Sequence, residues 1–374
     1  MREATAALQR LVRLHARLHR HHSTRGGWVL SEAEVRRRCA TSGLSDAGQL
    51  CAGRIQPDDQ PEQPEARLVL RPAEEMKPAN HLIRLMSGIG DTFFQRAIIR
   101  EVAKRSENVW IKSDWPQLWY DLQVFVLPSD TNLRTQFENR NRSKFDSPPE
   151  GPTRIRATTY TPGVLQQNPD ATIIDILADM LSEELPDKLN HSFPVKSSWR
   201  WRPDTSKPVA VVRPPTVRRE WPAPARNPDP AAFAACVNRL METHHVVSIA
   251  HSDPIDEPLV EPIAAHERYE RGQLTIEQVI GLIASSDVVL AGVGFALPLC
   301  GAIGARCFIL HGGCLGCNGP HRTMDARCDW SSVGVCMPDV QCGCYDKQHD
   351  CPKTTDPRRA ASEVDTFLNA RCAA

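Results

Sequence analysis

The sequence predicts an α/β protein with two Rossmann-like halves, each a doubly wound parallel sheet. Three observations carry this. Short apolar runs alternate with helix-period segments twice along the chain. Glycines stand at several of the strand-to-helix turns. The 374 residues suffice for two domains with their own cores. The expected parts are a basic helical extension with a Pro-rich linker (1–75), a first half (76–203), a second half (204–313), and a Cys-rich tail with a C-terminal helix (314–374).

Composition is globular, 41% hydrophobic and 24% charged, and the formal net charge of zero excludes the chain as a whole from polyanion binding. Residues 1–54 depart from this balance, with ten arginines against four acids. Leu8, Leu11, Leu14 (or His15) and Leu18 recur at helical spacing within residues 1–25. "SEAE" from Ser31 resembles a capping box. Residues 55–80 are rich in proline and acids and read as a linker. No run of about 18 apolar residues marks a membrane-spanning helix. The N-terminus lacks the apolar core and cleavage site of a secretory signal. A cytoplasmic location is therefore expected, and with it cysteines that are free or metal-bound rather than disulfide-bonded.

In the first half, "HLIRLM" (81–86) and "NVWIKS" (108–113) read as strands. Between them lie the glycine turn "SGIGD" and a helix with Phe94, Ile98 and Val102 on one face. Residues 114–200 carry one clear signal, a helix over 171–185. In the second half the alternation returns. Strands are expected at "PVAVVRPP", "HVVSIAHS", "DVVLAGVG" and "RCFILHGG", and helices at "DPAAFAACVNRLMETH", "TIEQVIGLIASS" and "FALPLCGAIGA". Apolar strands separated by helices argue for parallel sheets covered on both faces.

Candidate site residues follow from these turns. Gly88 and Gly90 let backbone approach a ligand at a helix N-terminus, while Phe93 stands where the third glycine of a dinucleotide fingerprint belongs, which disfavours NAD. Asp91 lies at a strand's carboxyl end, where α/β sheets place ligands, although Asp is also a preferred N-cap. Arg213, Thr216, Arg218 and Arg219 follow a strand directly and suit a diphosphate; a solvated basic loop is the other reading. Gly292 and Gly294, with Phe295 after them, repeat the strand–glycine–helix pattern that cradles phosphate.

Together, "GIGD", "RREW" and "GVGFALPLCGAIGA" resemble the GT-B glycosyltransferases of the ADP-heptose heptosyltransferase type, glycosyltransferase family 9, over roughly residues 80–313. The resemblance implies a catalytic base at Asp91, a donor-phosphate contact at Arg219 two residues before Trp221, and a donor loop at Gly292 and Gly294. It implies inverting transfer of a sugar from a nucleotide-diphosphate sugar to an acceptor hydroxyl. One departure is plain. The family's loop reads Asp-(Ser/Thr)-Gly followed by a His, whereas here Gly292 and Val293 fill the first two positions and Leu297 stands near the His. The donor need not be ADP-heptose.

Cys314, Cys317, Cys328, Cys336, Cys342, Cys344 and Cys351 fall within 38 residues, with His311, His321 and His349 beside them. C-x2-C spacing on a glycine knuckle suits a structural Zn or Fe ion. About four ligands serve one ion, and sequence leaves the subset open. Some protein-modifying members of the resembled family carry a four-cysteine iron-binding insert at a similar position. Acceptors that fit are a glycan, a protein, or a hydroxymethylated base in DNA; the basic N-terminus gives slight support to the last, and suits an acidic partner or an anionic membrane surface equally. The rival reading is a zinc-bearing nucleic-acid binding protein without catalysis.

Overall fold

The computed structural model describes residues 80–370, apart from residues 107, 152, 221, 347, 349, 350 and 352. They belong to the second of two compact units, Met1–Pro72 and Ala73–Ala374. The expected N-terminal helix, capping box and nearly all of the linker lie outside the described residues, as do Trp221 and His349.

Four strands, β1 (Asn80–Arg84), β2 (Val109–Lys112), β3 (Phe125–Leu127) and β4 (Thr153–Ala157), pair in parallel in the order β3-β2-β1-β4. Helix α1 (Ile89–Arg105) joins β1 to β2, and α2 (Arg134–Arg142) lies between β3 and β4. Helices α3 (Pro162–Gln167) and α4 (Ile173–Met180) follow. Six more strands form a second parallel sheet: β5 (Val209–Arg213), β6 (His245–Ile249), β7 (Glu267–Tyr269), β8 (Val288–Ala291), β9 (Cys307–Leu310) and β10 (Val333–Cys336), in the order β10-β9-β8-β5-β6-β7. Its helices are α5 (Pro230–Thr243), α6 (Ile276–Ile283) and α7 (Ala296–Ile303). Two single turns, α8 (Leu315–Asn318) and α9 (Pro320–Thr323), and a C-terminal helix, α10 (Pro357–Asn369), complete the chain. Among the described residues no helix is long and apolar enough to cross a membrane.

The α/β pattern matches expectation, with informative differences. Helix α1 is buried nearly all round from Asp91 to Ile99, a wider surface than the Phe94–Ile98–Val102 stripe. It packs on α4 and α7 as well as lying beside its own sheet, so one hydrophobic core runs through both sheets. The helix expected over 171–185 stops at Met180, because Ser182 takes a left-handed φ of 53° that no α-helix continues. Its start is a capping box between Thr172 and Asp175. The segment after Gly313 does not hang off the second half as a tail. Strand β10 pairs with β9, and α10 packs on α5, burying Cys336, Ala360 and Val364 with Phe233, Val237 and Leu240.

In each sheet the chain moves outward from its first strand and then returns to the other side of it. The first sheet reverses between β1 and β4, the second between β5 and β8. At such points the loops diverge and leave a crevice at the strands' carboxyl ends.

Gly281 in α6 tests the packing beneath the second sheet. A Cβ there would lie 1.6 Å from the Trp199 carbonyl oxygen. Backbone cannot yield as a flexible side chain does, so Gly281→Ala should destabilise the chain by roughly 3 kcal/mol, read as a lower urea midpoint at unchanged m-value.

Candidate functional site

Both crevices open onto one cavity of about 390 Å³. The turn after β1 and the first turn of α1 supply Gly88, Gly90 and Asp91, and the loop after β4 supplies Tyr160. The end of β5 and the loop after it supply Arg213, Thr216, Arg218 and Arg226, and the loop after β8 supplies Gly292, Gly294 and Phe295. All but Tyr160 and Arg226 are residues expected from sequence.

The turn before α1 is pinned from several sides. Trp115 Nε1 donates to the Ser87 carbonyl at 2.7 Å, and Gln136 Nε2 donates to it at 3.2 Å. Buried Gln95 accepts from Met86 N at 2.9 Å and donates to the Asp91 carbonyl at 2.9 Å. Gly88 is the N-cap, so Asp91 is not. Asp91 stands in the first helical turn, where the helix end favours a negative charge. A Cβ on Gly88 would lie 2.3 Å from Asp91 Oδ2, and one on Gly90 would lie 3.3 Å from the Phe295 Cα. These glycines therefore allow the carboxylate to fold over the turn and the two halves to meet. Tyr160 donates its hydroxyl to Asp91 Oδ1 at 2.6 Å. Burial, with the adjacent Asp91 carboxylate, pushes the Tyr160 phenol well above its ordinary value, so it remains a donor.

Across the cavity the arginines surround one carboxylate. Glu257 is 3% exposed. It accepts from Arg218 Nε at 2.8 Å, Arg213 Nη2 at 3.3 Å, Arg134 Nη2 at 3.2 Å and Thr216 Oγ1 at 2.8 Å. Burial alone would raise the Glu257 carboxyl, but Arg218 and Arg213, with the hydrogen bonds from Arg218 and Thr216, outweigh it and hold the group low. Burial brings the Arg213 guanidinium down to about 10, against the pull of Glu257, which leaves it charged at neutral pH. Arg226 is lowered by burial and by Arg218, while Tyr160 and Asp91 act in the opposite sense. Its charge thus lies between the Asp91 side and the arginine side.

Arg219 departs from expectation. Residues 215–219 run antiparallel to residues 256–260, with Val217 N donating to the Pro258 carbonyl at 3.0 Å and Arg219 N to the Asp256 carbonyl at 2.7 Å. Side chains alternate along such a stretch. Thr216 and Arg218 line the cavity, whereas Arg219 is exposed outside it.

Helix α2 of the first half closes over this cluster. Arg134 Nη2 donates to the His251 carbonyl at 2.7 Å, and its backbone N donates to Glu220 Oε1 at 2.8 Å. Glu138 pairs with His251 Nε2 at 3.0 Å, and Arg218 Nη2 donates to Thr135 Oγ1 at 3.0 Å.

The cysteines divide into groups. The sulfurs of Cys342, Cys344 and Cys351 lie within 4.8 Å of one another. Cys314 stands beside them, its backbone paired in parallel with that of Cys342, with its Sγ 3.5 Å from the Cys344 carbonyl. Cys317 Sγ lies 3.3 Å from the Tyr345 carbonyl, and its residue lines the cavity. Cys328 and Cys336 are elsewhere, each buried in a different apolar core, which raises both thiols to about 12. His311 has both ring nitrogens engaged, Nδ1 with Gly313 N at 2.7 Å and Nε2 with the Asn318 carbonyl at 2.9 Å. It shapes the knuckle and has no nitrogen left for an ion. Arg322 ties the knuckle to the first half, donating to the Ala171 carbonyl at 2.7 Å and the Leu165 carbonyl at 3.0 Å.

Tyr160, Glu257 and Arg226 were missed from sequence. Each lies in a polar or Pro-rich loop with no periodicity, and only the pairing of distant strands brings them to the cavity.

The fold is similar to that of E. coli ADP-heptose LPS heptosyltransferase II, with 11% identity, a TM-score of 0.51, and coverage of 78% of this chain and 99% of that one. It is also similar to the dodecameric iron-containing heptosyltransferase TibC in complex with ADP-D-beta-D-heptose, with 12% identity, a TM-score of 0.52, and coverage of 79% and 77%. A second TibC structure, from enterotoxigenic E. coli, matches at 14% identity and a TM-score of 0.51. No family model and no curated protein sequence matches the chain. At these identities the likeness is one of fold.

Replacing Glu257 by Gln leaves three guanidinium groups around an uncharged amide. Stability should fall by about 3 kcal/mol near neutral pH. Because the folded carboxyl titrates below its unfolded value, its contribution is complete above about pH 4.5 and is lost as pH falls through the folded value. The Tm difference between wild type and Glu257→Gln should therefore shrink on acidification; a constant difference would contradict the charge account.

Proposed function

We propose that the chain is an inverting glycosyltransferase of GT-B architecture, with the first half binding the acceptor and the second the nucleotide-diphosphate sugar. One observation carries the reading. The two sheets bring their switch-point loops to one cavity, with a carboxylate from one and cationic and glycine loops from the other. The fold likeness to heptosyltransferases supports it.

Asp91, held by Tyr160, takes the proton from an acceptor hydroxyl. The hydroxyl oxygen attacks the anomeric carbon, the bond from that carbon to the diphosphate breaks, and its electron pair leaves with the phosphate. Arg213, Arg218 and Arg226, with backbone N–H groups at Gly292–Gly294, stabilise the departing charge. Phe295 starts α7 at this loop, placing a helix N-terminus beside the phosphates. The acceptor hydroxyl belongs to a glycan, a protein, or a hydroxymethylated base. Asp91→Ala should lower transfer about 10²–10⁴-fold in an assay of donor sugars against acceptor hydroxyls, while nucleoside diphosphate binding stays within about threefold. Undiminished transfer would refute the assignment of Asp91.

For the cysteines we propose a structural Fe or Zn site on Cys342, Cys344 and Cys351, with Cys314 as fourth ligand. The donor set fits. Cys344 and Cys351 sulfurs lie 3.6 Å apart, close to the edge of about 3.8 Å that follows from four thiolates 2.3 Å from one ion. The ion when bound would cross-link the segment that carries Cys317 and Asn318 at the cavity wall. The purified chain should contain about one Fe or Zn by elemental analysis. Cys344→Ser should lose it with a lowered Tm, whereas Cys328→Ser should keep it. Equal loss from both variants would contradict the grouping.

A further inference from the structure

Four carboxylates line the cavity: Asp91, Glu138, Glu257 and Glu277. Asp91 is held by Tyr160, Glu138 by His251, and Glu257 by the arginines. Glu277 alone among them has neither a hydrogen bond nor an ion pair among the described residues. It stands half-buried in the first turn of α6.

Its place relative to a bound nucleotide follows from topology. Diphosphate at the β5–β8 switch point leaves the nucleoside two directions. Toward β9 there is little room: a Cβ on Gly312 would lie 2.5 Å from the backbone of Arg226 and Asn227, and the Cys317–Asn318 turn stands as a wall on that side. Toward β6 and β7 the cavity continues, walled by the apolar side chains of Ile249, Tyr269, Leu274 and Val279. Glu277 lies on that wall. The nearby Tyr269 hydroxyl is spent on Glu267 Oε2 at 3.0 Å, and Thr275 Oγ1 caps α6 at Gln278 N. The free polar side chain on this side therefore only accepts hydrogen bonds.

An ionised carboxylate has no donor to offer and room for two parallel N–H groups. Guanine presents N1–H and N2–H side by side. Adenine sets its amino group beside a ring nitrogen acceptor, and uracil flanks its N–H with two carbonyls; both put oxygen or nitrogen lone pairs against the carboxylate. We infer that Glu277 reads the Watson–Crick edge of a guanine and that the donor is a guanosine diphosphate sugar. This rests on the proposed nucleotide-sugar reading of the same cavity.

The test is calorimetric titration of the full chain with GDP, ADP and UDP, for wild type and Glu277→Gln. Wild type should bind GDP at least about tenfold more tightly than ADP or UDP, and the variant should lose about tenfold for GDP with little change for the others. Three nucleotides bound equally by wild type would overturn the guanine inference and leave the donor reading standing. Equal weakening of all three in the variant would also overturn it, because the carboxylate would then hold the ribose diol common to them. Failure of all three to bind would overturn the donor reading and this inference with it. Wild-type selectivity alone decides the question if the variant folds poorly.

Discussion

One buried carboxylate, Glu257, determines how the two halves of this molecule meet. Three arginines converge on it, from two regions of the chain: Arg213 ends β5 and Arg218 follows it, and Arg134 opens α2 above the other sheet. Like charges this close repel, and without the carboxylate they would spread apart. With it, a cluster of net positive charge is held rigid at the carboxyl end of a parallel sheet. That combination suits an anion that arrives with two phosphates, since the cations are already ordered before it binds.

The other half of the arrangement is steric. Glycines at 88 and 90 let α1 start beside Phe295, so the crevice of one sheet faces that of the other. The carboxylate at Asp91 and the cations around Glu257 then share a single cavity. A sheet alone offers one such crevice; chemistry between two bound molecules needs both.

Much of the fold was legible from sequence because its central strands are apolar and its helices periodic. β1, β2, β5, β6, β8 and β9 all stand where alternation placed them. The strands that escaped are short or lie at sheet edges. β3 has three residues, β7 is Glu-Arg-Tyr, β4 alternates arginine with isoleucine, and β10 contains a glycine. Their register comes from neighbours far away in sequence. The site shows the same limit. Glycines and arginines at strand ends could be found by position, but choosing Arg218 over Arg219 required knowing that residues 215–219 form an extended edge against 256–260. Cysteine spacing marked a cluster, yet only the pairing of β10 with β9 separates Cys336 from the three sulfurs that gather.

A donor site in this cavity requires the phosphates of a nucleotide to bind beside the arginine cluster. A crystal structure of the chain grown with a nucleoside diphosphate measures this directly. Both phosphates should lie at the β5–β8 switch point, within about 3 Å of backbone N–H groups at Gly292–Gly294 and of the Arg218 guanidinium. Phosphates bound away from the β5–β8 switch point, with Arg213 and Arg218 still wholly engaged by Glu257, would rule out a donor site here.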